Sequence, residues 1–372
     1  MSVPSVNTPA RLGLLDPLRG LLALCVAVYH LGVWFAISQS GSDANIAMAR
    51  LGNFSVSGFF VLSGFLLFRT APWSRLRQEG LGRFWLRRFL RLAPIFYLAC
   101  ALNLVLRLGM GPQPTWLRVL ENVTLTFGAI QPNLALVTGG WYVGLVALLY
   151  FVYPALAWLR EKGGIAFLVA LALGLWLWSL PPTLHGVMGQ AMWNRFHAYV
   201  EAPNQVFLLA WGGLLAALHA DTGRRLDPKV ALLLALPLVW VLVKPDPRFY
   251  DHLVAVTGWT RYRFVLVVTG LVALAAFTRD LAPSAPGEGF WNRVVSWALV
   301  GLTRLGAWSY GLYLLHPFTQ RLVAPHLDGM AGFTLALLLA LVAAALVHRW
   351  IEAPLGKLGR GERRAQAPSI RA

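Results

Sequence analysis

The chain has 372 residues, of which 58% are hydrophobic and only 13% charged, and its mean hydropathy is +0.61. Soluble domains carry about 25% charged residues, so this composition excludes a water-facing globule of this size. The net charge of +17 would suggest nucleic acid in a soluble protein, but here it reads as the Lys and Arg excess of cytoplasmic loops, and no nucleic-acid partner is expected.

A membrane span needs roughly 20 apolar residues, fewer where protein covers the backbone. In chain order, this predicts helices near 14–37, 53–70, 85–107, 141–159, 164–180, 203–219, 230–244, 263–278, 304–322 and 331–351. The fold class is all-α, a polytopic transmembrane bundle of about ten spans. The first run is too long for a signal-peptide core and lacks an A-x-A exit, so it is expected to remain as a span. The stretch 110–140, rich in Gly and Pro with an amphipathic middle, reads as a long loop carrying a surface helix. Residues 1–358 form one expected integral-membrane domain, and the polar, basic 359–372 an expected disordered tail. Cys25 and Cys100 both lie in apolar runs, which implies neither a disulfide framework nor a metal site.

Basic residues set the orientation. If the Arg-rich turn between the second and third spans is cytoplasmic, cytoplasmic segments hold 22 Lys and Arg and outer segments 9. An even number of spans then leaves both termini cytoplasmic.

Ionisable groups inside spans are costly and mark function. Arg19 and His30 lie eleven residues apart on the first span, which returns them to nearly the same helical face about 16 Å apart. Asp16 shares that face, three residues before Arg19, and is placed to pair with it. A cation near the cytoplasm can hold phosphates, and an imidazole deeper in can serve as general base. The blander alternative is a snorkelling Arg19 and a core histidine. Ser63 and Gly64 interrupt a bulky second span, where small residues allow helices to approach closely. Arg88 and Arg91 stand three apart at the start of the third span, either as interface anchors or as a grip on a phosphate-bearing donor. In the ninth span, whose motif begins at Ser309, the residues Tyr310, Tyr313 and His316 stand three apart and form a polar-aromatic stripe ahead of Pro317. His348 and Glu352 end the last span, an ordinary charged boundary in which Glu352 has an arginine nearby to pair with. Between the fifth and sixth spans, 185–201 mixes aromatic and polar residues in a way that suits sugars but is also ordinary for an interfacial loop.

Six motifs then occur in order over nearly the whole chain: LDPLRGLLALCVAVYH at 15–30, FFVLSGFLL at 59–67, RRFLRLAPIFY at 87–97, WYVGLVALLYFVYP at 141–154, SYGLYLLHPF at 309–318 and HRWIEAP at 348–354. Together they resemble the acyltransferase-3 family of bacterial membrane acyltransferases. The resemblance implies transfer of an acyl group, usually acetyl, from a cytoplasmic acyl-CoA co-substrate to a carbohydrate or glycolipid hydroxyl. It implies no permanently bound cofactor, no metal, and a multi-pass location in the bacterial cytoplasmic (inner) membrane. Arg19 and His30 match the family's functional pair. Arg88, Arg91 and Ser63 become candidate donor-binding residues, and Tyr142, Tyr150, Ser309, Tyr313, His316 and Glu352 candidate acceptor or relay residues. The chain departs from the family pattern at Val146, where many members carry Glu, so either His30 takes a partner from elsewhere, with Tyr142, Tyr150, His316 and Ser63 as candidates, or this branch dispenses with one. The sequence ends without the extracellular domain that some relatives append, which leaves the chain to finish the transfer alone or hand it to a separate extracytoplasmic transferase. The competing class is a transporter or flippase for an anionic or lipid-linked substrate, where intramembrane Arg and His are equally expected. Transporters often carry internal repeats, and the two halves of this sequence show no such symmetry.

Overall fold

The computed structural model describes residues 13–37, 42–106, 113–185, 192–223, 225–244, 258–279 and 290–360. The tail beyond 360 lies outside the described residues. Among them the chain is helical, with no strand beyond an isolated bridge between Leu226 and Thr278. The helices are α1 (Leu15–Trp34), α2 (Asp43–Thr70), α3 (Trp73–Glu79), α4 (Leu81–Leu106), α5 (Trp116–Thr124), α6 (Phe127–Ile130), α7 (Gly140–His185), α8 (Met192–Val200), α9 (Pro203–Thr222), α10 (Pro228–Val243), α11 (Gly258–Phe277), α12 (Phe290–Val323), α13 (Gly329–Val347) and α14 (Ala353–Arg360).

Each expected span overlaps a helix over most of its length, several of them running past the helix end by one to four residues. The fourth and fifth share α7, whose helical path is interrupted at Gly164 (φ 59°, ψ −154°). Among the described residues, six helices are long and apolar enough to cross a membrane by length and composition: α1, α2, α4, α7, α11, and α13 continued into α14. The other three expected spans fall short for physical reasons. The α10 helix is only 16 residues. Polar groups dilute the apolar content of α9 and α12, but many of these, among them Asn204, Gln205, Ser309 and His316, point inward and are buried. The outward faces carry apolar side chains, for example Leu232, Leu233, Leu236 and Trp240 on α10 and Leu338 and Val342 on α13. That reverses the soluble pattern and suits lipid contact. The surface helix expected within 110–140 is α5, which shows Trp116, Leu117, Leu120 and Val123 on its exposed side.

Two tight helix pairs build the interior: α1 with α12, and α2 with α9. Helices in lipid gain nothing from hydrophobic exclusion, so close backbone approach through small residues must hold them together. At the first pair, a Cβ on Gly20 would sit 2.5 Å from the Leu302 carbonyl oxygen, and one on Gly306 would overlap the Asp16 carbonyl. Because Gly20 meets 302–306 while His30 meets His316, the two helices run in the same direction. At the second pair, Gly64 lies on the Leu209 carbonyl and Gly212 on that of Val61.

Two arginines that fall between expected spans, Arg50 and Arg261, are 2% and 0% exposed. Arg50 donates to the Lys244 carbonyl at 2.6 Å and lies over the Phe264 ring, while Arg261 donates to the Asn204 carbonyl and lies over Tyr199. They are interior cations rather than loop charges.

Replacing Gly306 by Ala is expected to force α1 and α12 apart and to destabilise the protein by about 1–3 kcal/mol, the usual cost of overpacking. Thermal unfolding in detergent measures it, with Gly301→Ala, which meets open space, as the control.

Candidate active site

The polar residues of α12 occur in order along its axis, and each marks a different compartment. Gly306, Ser309 and Tyr310 line a vestibule of about 620 Å³ at the Arg-rich end of the bundle. Ser309, Tyr310 and Tyr313 line an inner cavity of about 260 Å³. His316, one turn farther on, lines neither of them and meets His30. The same order holds on α1, where Asp16 lines the vestibule, Arg19 lines both compartments, and His30 lies beyond.

Three carboxylates line the vestibule among the described residues, and each is engaged. Asp16 accepts from Arg19 at 2.8 Å, as the spacing predicts. Glu79 binds both Arg75 and Arg87, and Glu352 accepts from His348 at 2.7 Å across a single π turn. Burial raises the Glu79 carboxyl, but hydrogen bonds from Arg75 and Arg87, with their charges, outweigh it and hold the group below its ordinary 4.5. Arg88 and Arg91 are left at the junction of vestibule and inner cavity with no carboxylate partner among the described residues. Arg88 is held instead over the rings of Phe84 and Tyr150, at 5.3 and 5.2 Å from their centroids.

The inner cavity also gathers Ser63, Tyr142, Val146 and Tyr150. Ser63 and Tyr142 share a hydrogen bond at 3.1 Å. Ser309 donates to the Gly306 carbonyl and Tyr310 to that of Leu92, so both hydroxyl hydrogens are taken up by backbone. Tyr313 donates to the Gly139 carbonyl at 2.8 Å. Gly139 has a left-handed φ of 79°, and a Cβ there would be 2.9 Å from the phenol. Only glycine satisfies both demands. Tyr313, Phe59 and Tyr142 contact one another edge-on or tilted, with centroids 5.7–6.4 Å apart, and close the end of the cavity nearest the histidines.

Beyond that aromatic group, His30 Nδ1 is 3.1 Å from His316 Nε2. The rings stack within 6° of parallel, and His30 stacks on Trp34 as well. His316 Nδ1 is 3.1 Å from the Leu312 carbonyl, which can only accept, so this nitrogen carries hydrogen. In the neutral ring Nε2 is then an acceptor, and His30 donates to it from Nδ1. The tautomer assigned in this way leaves His30 Nε2 with its lone pair available. Val146 is buried in the wall of the inner cavity, and no Asp or Glu appears among the described residues lining that cavity.

A family model described as an acyltransferase domain matches residues 13–349. The chain belongs to that family, acyltransferase-3. Among curated proteins it is 27% identical to acyltransferase MdmB of Streptomyces mycarofaciens, covering 96% of this chain and 95% of that protein. It is 24% identical to the peptidoglycan O-acetyltransferase OatA of Listeria monocytogenes, covering 93% of this chain and 56% of the longer relative. No solved structure matches it significantly. The cavities described above are therefore those of an acyltransferase built as a membrane-type helical bundle.

The acyltransferase-3 candidates fall into three groups. Arg19, Ser63, Arg88, Arg91, Tyr142, Tyr150, Ser309 and Tyr313 converge on the inner cavity; His30 and His316 pair beyond it; Glu352 stays in the vestibule. Within 185–201, Tyr199 is buried against Trp141 and His197 bonds Asn133, so these two are packed rather than offered to a ligand. The side chains of His185, Trp193 and Arg195 lie outside the described residues. Sequence reasoning did not single out Thr70 or Phe59 as cavity-lining, and neither carries a signal of its own, since both are ordinary span residues.

Because the folded Glu79 value is depressed, its ion pairs stabilise the protein above about pH 4.5, and that stabilisation is lost as pH falls through the lowered folded value. Glu79→Gln should flatten the fall of the unfolding temperature below that pH and lower stability at neutral pH, both readable in a thermal-unfolding series against pH.

Proposed function

We propose that this protein is an O-acyltransferase of the bacterial cytoplasmic membrane, with ten spans and both termini cytoplasmic. In this reading it moves an acetyl group from cytoplasmic acetyl-CoA to a hydroxyl of a cell-surface or lipid-linked carbohydrate. The observation that carries it is the pair Arg88 and Arg91, without carboxylate partners among the described residues, beside an inner cavity lined by Tyr313, one helical turn from the His316 that pairs with His30. Unneutralised arginines beside a cavity are ready to bind phosphate in charge-assisted, bidentate bonds. The inner cavity, about 260 Å³, suits a pantetheine end with a short acyl chain better than a long one. The relative named as a peptidoglycan O-acetyltransferase favours acetyl and a glycan acceptor.

The chemistry runs in one direction across the bundle. Phosphates of the donor rest on Arg88 and Arg91, and Arg19, already paired with Asp16, lines the passage for the pantetheine arm. His30 Nε2 removes the proton from the acceptor hydroxyl as its oxygen attacks the thioester carbonyl. The tetrahedral intermediate collapses with loss of the CoA thiolate, which recovers the proton from the imidazolium. His316 fills the place left by Val146: it orients the ring of His30 and fixes its tautomer, but it contributes no negative charge. The aromatic group of Phe59, Tyr142 and Tyr313 would have to move for the thioester to reach His30, and the Tyr313–Gly139 bond is the contact that opens. The transfer ends on the acceptor directly or through a separate extracytoplasmic transferase.

His30→Ala should lower acetyl transfer by about 100-fold or more, the scale of general-base catalysis, with the protein still present in the membrane. Mass spectrometry of surface glycans from a strain carrying the variant reads this out, and undiminished acetylation at normal expression would remove His30 from the mechanism. Arg88→Ala and Arg91→Ala should each raise KM for acetyl-CoA by about tenfold while changing kcat far less, as expected for losing one charge-assisted bond. CoA release in step with acceptor consumption by purified protein separates this function from transport; transport without CoA release would refute it.

A further inference from the structure

On the side of α2 facing away from the active site, the structure holds a second basic cavity. Thr70 and Leu67 line the inner cavity, whereas their neighbours Phe68 and Arg69 line this other space, between α2, α7 and α9, of about 370 Å³. It shares no lining residue with the vestibule or the inner cavity. Three arginines from three different segments converge on it, Arg69, Arg160 and Arg225, and no Asp or Glu appears among its described lining residues. The room comes from small residues on α9: Gly213, Ala216, Ala217 and Ala220 line it, and a Cβ on Gly213 would strike the Phe68 ring at 2.5 Å.

Two further features point to a ligand. His219 is 5% exposed, lines this cavity, and its Nε2 has no hydrogen-bond partner. The rings of Phe65 and Phe277 hold it edge-on, at 5.6 and 5.2 Å between centroids. Buried polar atoms are almost always satisfied, so an orphan beside a basic cavity calls for a partner from outside the chain. Arg225 also lines an adjoining apolar groove of about 650 Å³, formed with Leu226, Leu274 and Phe277 and edged by Arg279. Cation-rich space that opens onto an apolar groove has the two-part shape of a phospholipid, with a charged head and hydrocarbon tails. Basic pockets between membrane helices are known to seat anionic head groups.

We propose that this cavity is a binding site for an anionic glycerophospholipid from the leaflet at the Arg-rich end. Its phosphodiester meets Arg69, Arg160, Arg225 and His219, and an acyl chain lies along Leu274 and Phe277. The lipid would tie α2 to α7 and α9 at the end of the bundle where the vestibule opens. The proposal does not depend on the acyl-transfer reading, because its test measures binding and stability without activity.

The full-length protein, purified in a neutral detergent, is titrated separately with phosphatidylglycerol, phosphatidylcholine and inorganic phosphate while thermal unfolding is followed. Phosphatidylglycerol is expected to raise the unfolding temperature saturably, and the other two are not. Arg160→Gln should weaken half-saturation about fivefold, the contribution of one basic group at a membrane surface. Ala220→Leu, at an exposed position that fills the cavity without touching a charge, should abolish the saturable shift, and it decides the matter if Arg160→Gln does not fold. Equal shifts from phosphatidylcholine, an equal shift from inorganic phosphate alone, or an undiminished response in Ala220→Leu would each overturn the assignment.

Discussion

Everything in the site depends on how closely α1 and α12 approach. With no side chain at Gly20 or Gly306, the two backbones touch, and the contact with the Leu302 and Asp16 carbonyls fixes both spacing and register. In that register His30 faces His316, and Arg19 faces the compartments lined by Ser309 and Tyr310. A bundle held by loose apolar contacts in lipid would have no such fixed register, because hydrocarbon side chains pack nearly as well on lipid as on each other.

Charge is sorted across the molecule with the same economy. In the vestibule each carboxylate is committed, Asp16 to Arg19, Glu79 to Arg75 and Arg87, Glu352 to His348. The positive surplus falls to Arg88 and Arg91, where an anionic donor would need it. Along the path from the vestibule to His30, the deeper polar groups are hydroxyls and imidazoles, whose burial costs far less than that of an unpaired ion. The absence of an acid at Val146 fits this gradient, and so does an imidazole oriented by another imidazole.

Much of this was legible in the sequence because it is local. Helical stretches follow from apolar run lengths, the Asp16–Arg19 pair from a three-residue spacing, and the division of α7 from the gap between the runs 141–159 and 164–180. The meeting of His30 with His316, 286 residues apart, is not local, and no periodicity reports it. Arg50 and Arg261 illustrate the opposite failure: a charge near a span end looks like a loop residue, yet carbonyl acceptors and aromatic faces bury both. Arg69, Arg160 and Arg225 lie far apart in the sequence, and only the packing of α2, α7 and α9 turns them into a cavity wall.

The ordering of groups along α12 constrains how this site can change. Tyr310 and His316 are separated by about 9 Å of helix rise, a length set by residue count. Adding or removing one residue between them would swing His316 by about 100° and carry it away from His30, while leaving Tyr310 where it is. The interval between the charge-binding end and the imidazole therefore behaves as a fixed gauge. New substrates are open to this scaffold through substitution of the residues that face the cavities, whereas changes in the length of α12 between these positions are closed to it.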